Sequence, residues 1–166
     1  MDLILWRHAE AEVARDGQDD LSRELTPKGE RQALKMGLWL DRHLPDGTRV
    51  LASPARRTDQ TAHALGRRYK LREELLPHAQ VEDVLGLIKW DVQSGPTTKG
   101  SLLVVGHQPY LGQLVSKLLG MKEPETAFRK GAVWWLRTRQ REGQCQTVLM
   151  TVVCPELTSR FWDVPS

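Results

Sequence analysis

Cysteine is scarce in this sequence, and the few cysteines present exclude a disulfide framework and a zinc site. The 166 residues contain two cysteines, Cys145 and Cys154, which form no Cys-x-x-Cys pair and have no histidine near them. A zinc site needs ligands clustered at short spacings. On one extended strand the two residues would lie about 30 Å apart, far beyond the reach of a disulfide. We therefore expect two buried, reduced thiols.

Long apolar runs are missing as well. No stretch approaches the roughly 20 residues that a membrane-spanning helix needs, and no basic segment precedes the short apolar run at residues 3–6. We expect no membrane partner, no secretory signal and a cytoplasmic location. Charged residues of both signs make up 27% of the chain, which excludes disordered and low-complexity proteins. The length and the 40% apolar content predict a single domain over residues 1–166.

Apolar runs alternate with amphipathic patterns through the first two thirds of the chain. Continuous apolar runs predict strands at residues 3–6, 49–52 and 101–105, with a weaker candidate at 71–76. Helical periodicity predicts helices at residues 27–44, from 53 to about 69, 81–92 and 111–119. Two apolar runs, at 132–136 and 147–153, flank a polar turn and predict a β-hairpin. This order predicts an α/β fold, a three-layer α/β/α sandwich around a mainly parallel sheet with an antiparallel edge strand.

Cationic side chains and imidazoles follow three of the predicted strands. Arg7 and His8 follow the first strand, Arg56 and Arg57 come shortly after the second, and His107 follows the strand at 101–105. In open α/β sheets ligands bind beyond the carboxyl ends of the strands. Guanidinium and imidazole groups match the oxygen atoms of phosphate. A single histidine at a strand end is more often structural, but the set together predicts a pocket for a small dianion such as phosphate.

Four segments, in order along the chain, match the motifs of one known family. Residues 5–9 (Leu-Trp-Arg-His-Ala) resemble its Arg-His-Gly signature, with Ala9 in place of the usual glycine. Residues 25–33, 53–62 and 105–109 resemble its Leu-Thr-x-x-Gly-x-x-Gln-Ala, Ser-Pro-x-x-Arg-x-x-Gln-Thr-Ala and Val-x-His-x-Pro segments. The chain therefore resembles the histidine phosphatase (phosphoglycerate-mutase-like) superfamily. Its short length is similar to that of the SixA-type phosphohistidine phosphatases, whereas the mutases and acid phosphatases carry large insertions over the site.

The resemblance implies a role for each matched residue. His8 matches the nucleophile, and Arg7, Arg57 and His107 match the phosphate-binding set. Arg57 is the match, because it lies three residues before the Gln-Thr pair of the motif, and Arg56 is expected to be solvated. The implied activity is that of a metal-independent phosphatase without a cofactor, acting through a phosphohistidine intermediate on His8. The implied substrate is phosphohistidine on a protein, such as a histidine-phosphotransfer domain.

The chemistry of a histidine nucleophile sets a further expectation for His8. One ring nitrogen must present a free lone pair to phosphorus while the other donates its hydrogen. We expect a backbone carbonyl to accept that hydrogen. Alanine at position 9 also requires an ordinary φ, where glycine would permit a positive one.

A general acid for the leaving group is difficult to assign. No carboxylate in residues 75–83 matches the acid of the family's ester phosphatases, and Glu82 and Asp83 are expected to start a helix. Glu10 is the alternative acid or orienting group. Asp19 and Asp20 are expected to be solvated charges rather than metal ligands. Imidazole leaves more easily than an alkoxide, so the missing acid favours phosphohistidine over sugar phosphates.

Two other functions remain open at this point. The first is a phosphatase for small phosphoesters or for another phosphoprotein residue. The second is a module that binds nucleic acid or another polyanion, because the chain has a net charge of +3 and five basic residues lie around Trp134 and Trp135, namely Arg129, Lys130, Arg137, Arg139 and Arg141. We interpret the alternating basic residues after Trp135, in the predicted hairpin, as protection of an edge strand, and expect no nucleic-acid partner. The sequence defines neither the oligomeric state nor the role of residues 157–166.

Overall fold

The structure is a computed structural model that describes residues 1–162, with side chains described as far as Thr158. The strands of this range are β1 (Asp2–Arg7), β2 (Arg49–Ala52), β3 (Lys70–Leu71), β4 (Trp90–Asp91), β5 (Gly95–Pro96), β6 (Ser101–Gly106), β7 (Val133–Arg141) and β8 (Gln144–Val153). The helices are α1 (Pro27–His43), α2 (Arg56–His63), α3 (Val81–Ile88), α4 (Tyr110–Leu118) and α5 (Pro155–Trp162).

Six strands form the central sheet, in the order β3-β2-β6-β1-β7-β8. Neighbours from β3 to β1 run parallel, and β7 and β8 continue the sheet antiparallel. Along β1, Leu3 and Leu5 pack on one face of the sheet, whereas Ile4 and Trp6 pack on the other. Both faces are covered, the first by α3 and α4 and the second by α1 and α2. The predicted three-layer architecture is confirmed.

Helix α1 begins and ends as its sequence predicts. Thr26 caps the first turn by accepting a hydrogen bond from the Gly29 amide at 2.9 Å, and Pro27 occupies the first helical position. The helix ends at His43, one residue before the predicted end.

Three predicted segments differ from the structure for local reasons. Helix α2 is shorter than the predicted 53–69, because Gly66 adopts a left-handed φ of 77° and stops it. Helix α3 ends at Ile88, because Lys89 is left-handed with a φ of 55°, and a two-stranded ribbon, β4 with β5, follows. The candidate strand at 71–76 is reduced to β3 and a short 3-10 turn.

The interpretation of the basic hairpin residues was wrong. They lie on β7, an interior strand between β1 and β8, and the true edge strand β8 has no charged residue in its ten positions. Arg137 instead binds the Asp2 carboxylate through Nε at 2.7 Å and Nη2 at 2.9 Å, which ties β7 to β1. Cys145 and Cys154 are free thiols, but only partly buried, since β8 and its end lie at the sheet edge.

The structure also bears on membrane contact and on the carboxyl terminus. No helix within residues 1–162 is long and apolar enough to cross a membrane. Of the segment 157–166, the first part belongs to α5, which packs against α1, and residues 163–166 lie outside the described range.

Gly37 provides a test of the contact between α1 and α2. A Cβ atom at Gly37 would lie 2.5 Å from the Ala64 carbonyl oxygen, whereas one at Gly86 in α3 would have nothing within 4 Å. We expect Gly37→Ala to lower the free energy of unfolding by about 1–3 kcal/mol through steric overlap. Gly86→Ala should raise it by about 0.5–1 kcal/mol, because alanine favours the helix. Urea denaturation measures both. Equal shifts of the same sign would contradict a tight contact at Gly37.

Candidate active site

The predicted residues converge at the carboxyl ends of three strands. β1 and β6 pair in parallel, with Arg7 opposite Gly106. His8 and His107 directly follow these two residues and are therefore neighbours. Their ring centroids are 5.2 Å apart. The His8 amide donates to the Gly106 carbonyl at 3.1 Å, which carries the pairing past the end of the strand. Ser53 follows β2 in the same way, by donating its amide to the Val105 carbonyl at 3.1 Å.

The His8 ring is held by a backbone carbonyl, as the chemistry of a nucleophile requires. Nδ1 lies 2.7 Å from the Ala9 carbonyl oxygen, so Nδ1 carries the hydrogen and Nε2 keeps a free lone pair. The Ala9 amide donates to Thr61 Oγ1 at 3.1 Å, and Thr61 donates to the Arg57 carbonyl at 2.7 Å. Ala9 has no positive φ, so alanine fits where the family motif has glycine.

The start of α1 packs on the chain that leaves His8. Gln32 Oε1 accepts from the Glu10 amide at 3.0 Å. A Cβ at Gly29 would lie 1.9 Å from the Glu10 carbonyl oxygen, so only glycine permits this approach. Gln32 and Gly29, both in the segment 25–33, therefore help to fix the backbone that follows His8.

The hydrogen-bond partners of His107 favour one tautomer. His107 Nε2 lies 2.8 Å from Ser53 Oγ, and that oxygen already accepts from the Ala55 amide at 3.3 Å. The Ser53 hydroxyl is then free to donate to Nε2, which places the ring hydrogen on Nδ1. His107 Nδ1 is buried and has no partner in the described structure. In this tautomer, His107 Nδ1 is therefore a buried donor without an acceptor among the described side chains.

Each of the two arginines is anchored at one end of its guanidinium group. Arg7 Nη1 donates to the Phe128 carbonyl at 2.6 Å. Arg57 donates from Nη1 to the Asp20 carbonyl at 2.9 Å and from Nη2 to Asp20 Oδ2 at 3.1 Å. Arg56, by contrast, is exposed and pairs with Glu24 at 3.2 Å, as expected of a solvated residue.

Three buried nitrogen atoms in this region lack a partner. Among the side chains described to Thr158, the buried polar atoms without a hydrogen bond are Arg7 Nε, Arg57 Nε and His107 Nδ1. Leaving one buried donor unpaired costs about 1–3 kcal/mol, so such atoms are rare and need an explanation. All three belong to the predicted phosphate-binding residues. An anion with several oxygen atoms would satisfy them together.

Burial keeps both histidines neutral. Desolvation, with the nearby charges of Arg57 and Arg7, lowers the pKa of His8 to about 3. Desolvation, followed by the effects of His8 and the two arginines, lowers the pKa of His107 to about 2. His8 is 7% exposed and His107 2% exposed, which explains the size of the burial effect. At neutral pH, His8 Nε2 is consequently free to act as a nucleophile.

The carboxylates weighed as general acids lie in other contacts. Glu10 Oε1 accepts from Thr26 Oγ1 at 2.9 Å, and Glu10 Oε2 lies 3.9 Å from Lys28 Nζ, so this side chain faces the start of α1. Asp83 accepts from the Gln80 amide at 3.2 Å in the capping box of α3, where a helix start was expected.

The sequence did not indicate the ion pairs of Asp20 and Arg23. Asp20, expected to be a solvated charge, is about half exposed, and its carboxylate binds Arg57 and also Arg23, whose Nε lies 2.9 Å from Asp20 Oδ1. Both residues lie between β1 and α1, in a stretch without periodicity. The three-residue spacing of an aspartate and an arginine was the single local signal. No group of side chains able to hold a metal ion occurs in the described part of the chain.

Several known proteins are similar to this chain in sequence. The family model of the histidine phosphatase superfamily (branch 1) matches residues 3–80. The phosphohistidine phosphatase SixA homologue of Haemophilus influenzae is 30% identical over 137 residues, which cover 75% of this chain and 80% of that protein. The chain belongs to the histidine phosphatase superfamily. Phosphohistidine phosphatase SixA of Escherichia coli is 33% identical over 128 residues, covering 75% of this chain and 78% of that protein.

Solved structures agree with the superfamily fold. The protein histidine phosphatase SixA complexed with tungstate superposes with a TM-score of 0.75 at 24% identity, covering 95% of this chain and 99% of that one. A phosphoserine phosphatase of Entamoeba histolytica, studied as a mutant with phosphoserine, superposes with a TM-score of 0.65 at 17% identity, covering 91% and 95%. The chain thus shares its fold with both structures.

The lowered pKa values predict how the site histidines of this histidine phosphatase titrate. In the ligand-free folded protein, the imidazole nitrogen signals of His8 and His107 should remain those of neutral rings from pH 8 down to pH 5. In the urea-unfolded chain the same rings should titrate near the reference pKa of about 6.5. Nitrogen-15 NMR of the histidine side chains measures both states.

The same shifts have a consequence for stability. Between the unfolded pKa of about 6.5 and the folded values of about 3 and about 2, the unfolded chain binds more protons. The two histidines therefore destabilise the fold progressively as the pH falls below 6.5. A folded-state midpoint near 6.5 for either ring would contradict its burial as a neutral group.

Proposed function

We propose that the protein is a metal-independent phosphatase that removes the phosphoryl group from phosphohistidine on a partner protein in the cytoplasm. The observation that carries this proposal is the cluster of three unpaired buried nitrogens beside a neutral histidine. Those nitrogens fit the oxygens of a phosphoryl group, and the neutral ring fits a nucleophile for its phosphorus atom. The names of two relatives at 30% and 33% identity support the same substrate class.

In the first step, His8 takes over the phosphoryl group. Its Nε2 lone pair forms a bond to phosphorus while the nitrogen–phosphorus bond of the substrate breaks, and that electron pair stays with the leaving imidazole. Arg7, Arg57 and His107 Nδ1 donate hydrogen bonds to the phosphoryl oxygens as their charge redistributes. The Ala9 carbonyl stabilises the positive charge that develops on the His8 ring.

In the second step, water attacks phosphorus on phosphorylated His8. The bond between His8 Nε2 and phosphorus breaks, its electron pair returns to the ring, and inorganic phosphate leaves. The same three donors hold the oxygens in both steps. No metal ion or cofactor is required for either step.

The protonation of the leaving group favours phosphohistidine over phosphate esters. Glu10 and Asp83 are engaged elsewhere and offer no acid to an alkoxide. A phosphohistidine ring whose second nitrogen carries a proton departs as neutral imidazole, so it needs no carboxylate. The tungstate complex of a SixA protein is compatible with this site, because tungstate is a phosphate-like oxyanion.

No specific observation favours a polyanion-binding function. Arg137 is committed to Asp2, and Arg129 Nη2 pairs with Glu156 at 3.2 Å. Two of the five cations considered for nucleic acid are thus neutralised by carboxylates of the same chain.

The substrate class is tested by comparing two phosphorylated compounds. The protein is incubated with a phosphohistidine-bearing histidine-phosphotransfer domain and, separately, with an aryl phosphate, both with a chelator. We expect phosphate release from the phosphorylated domain, undiminished by the chelator. Hydrolysis of the aryl ester alone would contradict the phosphohistidine assignment, and inactivity on both would contradict the proposed function.

The roles of two side chains are tested by substitution. We expect His8→Ala to lower turnover of the phosphorylated domain by at least about 10³-fold, since it removes the nucleophile. Arg57→Ala should lower kcat/KM by about 10²–10³-fold, the typical cost of losing one oxyanion donor. His63→Ala is the matched control, because His63 is exposed on the same helix as Arg57. Its rate should equal that of the unsubstituted protein. A His8→Ala variant that folds and retains turnover would exclude this histidine as the nucleophile.

A further inference from the structure

The segment between β1 and α1 carries charges that the mechanism above leaves unused. Its short 3-10 turn, Asp20–Ser22, packs against α2. At this turn one carboxylate joins two guanidinium groups. Asp20 Oδ2 binds Arg57 Nη2 at 3.1 Å, and Asp20 Oδ1 binds Arg23 Nε at 2.9 Å.

An aspartate next to Arg57 is unexpected in a site for a negatively charged phosphoryl group. Its negative charge repels an incoming dianion and offsets one of the cations that attract it. Two adjacent arginines, however, repel each other unless an anion lies between them. Asp20 supplies that anion and holds Arg23 and Arg57 side by side, so the three groups together keep one positive charge. The position of Asp20 is explained if Arg23, held there by Asp20, takes part in binding the phosphoryl group.

Arg23 is fixed in place with one nitrogen to spare. Its Nε binds Asp20, and its Nη1 donates to the Glu12 carbonyl at 2.9 Å. These contacts leave Nη2 without a partner in the part of the chain that the structure describes. The side chain of Arg23 is 22% exposed, whereas that of Arg57 is 4% exposed. Of the two arginines that share Asp20, Arg23 is therefore the one closer to solvent.

The positive charge of Arg23 acts on the two histidines of the candidate site. It is among the groups that lower the pKa of both His8 and His107, although burial is the larger cause in each case. It also lowers the pKa of the buried Arg57 guanidinium, for which burial is again the first cause. Arg23 is thus electrostatically close to the two site histidines as well as to Arg57.

We propose that Arg23 is a further phosphoryl-binding residue, which donates from Nη2 to the phosphoryl group of the substrate, and that Asp20 is the residue that positions it. This inference rests on the proposed function and deepens it. Arg23 completes the phosphate site on its solvent side, where Arg7, Arg57 and His107 provide the buried part. The guanidinium fork matters here, because two of its nitrogens are needed to hold the third in place.

The test measures binding of an oxyanion directly and so does not depend on turnover. Tungstate is titrated into the protein at low ionic strength by isothermal calorimetry. We expect Arg23→Ala to weaken tungstate binding about tenfold or more. Arg23→Lys should recover part of that loss, since it keeps the charge but not the fork. The matched control is Arg56→Ala, because Arg56 also pairs with a carboxylate, that of Glu24 at the surface, but is not one of the predicted phosphate-binding residues. Its affinity should stay within about twofold of the unsubstituted protein.

Asp20 is tested by separating binding from rate. We expect Asp20→Ala to lower kcat on the phosphorylated domain, because it releases two arginines, and to weaken tungstate binding less than Arg23→Ala does, because it also removes a negative charge. A residue that merely stabilises the segment would lower the melting temperature and leave kcat of the folded protein unchanged.

The outcomes distinguish the two proposals. If the unsubstituted protein does not bind tungstate, the proposed function fails. If it binds tungstate and folded Arg23→Ala binds equally well, the role of Arg23 fails and the proposed function stands. Where Arg23→Ala does not fold, Arg23→Gln, which retains an amide donor for Asp20, takes its place under the same criterion. An equal loss in Arg56→Ala would also overturn the inference, since it would show a general effect of surface charge.

Discussion

The parallel pairing of β1 with β6 is the constraint on which the site depends. It aligns Arg7 with Gly106, so that the chain emerges from both strands with a histidine at the same level. The two imidazoles are then buried neighbours, and their burial keeps both rings neutral. The arginines can then bring positive charge to the same place without protonating the rings. A shift of this register by one residue would turn the side chains of one strand to the opposite face and so separate the two histidines.

Several side chains of the family motifs accept hydrogen bonds from backbone amides of the segments that follow His8 and precede α1. Thr61 receives the Ala9 amide, Gln32 receives the Glu10 amide, and Gln60 Oε1 receives the Leu25 amide at 2.8 Å. Gly29 permits the close approach of α1 to the same stretch of chain. These contacts arise from two helices on one face of the sheet. The short segment after His8 is thereby held from several directions, although it belongs to neither a helix nor a strand.

The parts of the site that could be predicted from the sequence are those attached to regular structure. Arg7, His8 and His107 directly follow apolar runs that become strands, and Arg57 lies at a fixed offset in a helical motif. The ion pairs of Asp20 could not be predicted, because its segment has no periodicity and one of its two partners, Arg57, comes from a distant part of the chain.

The fold shows the same division between local and distant causes. The strands β1, β2 and β6 follow from continuous apolar runs, and α1 follows from its apolar periodicity and its cap. The structure matches these four elements closely. The ribbon of β4 and β5 arises from a left-handed turn at Lys89, which residue type alone does not indicate. The edge position of β8 is a property of strand order, so the alternation of basic residues on β7 was misleading.

The acceptor for His8 has an evolutionary consequence. Since that acceptor is the carbonyl of the next residue, no side-chain substitution can delete it, in contrast to an orienting carboxylate. Substitution of residue 9 is limited instead by the size of the side chain, because Ala9 is fully buried against Leu25 and Ala33. Glycine and alanine are both small enough, and a larger residue would push α1 away. The nucleophile is consequently robust to mutation in its chemistry and sensitive to mutation in the packing beside it.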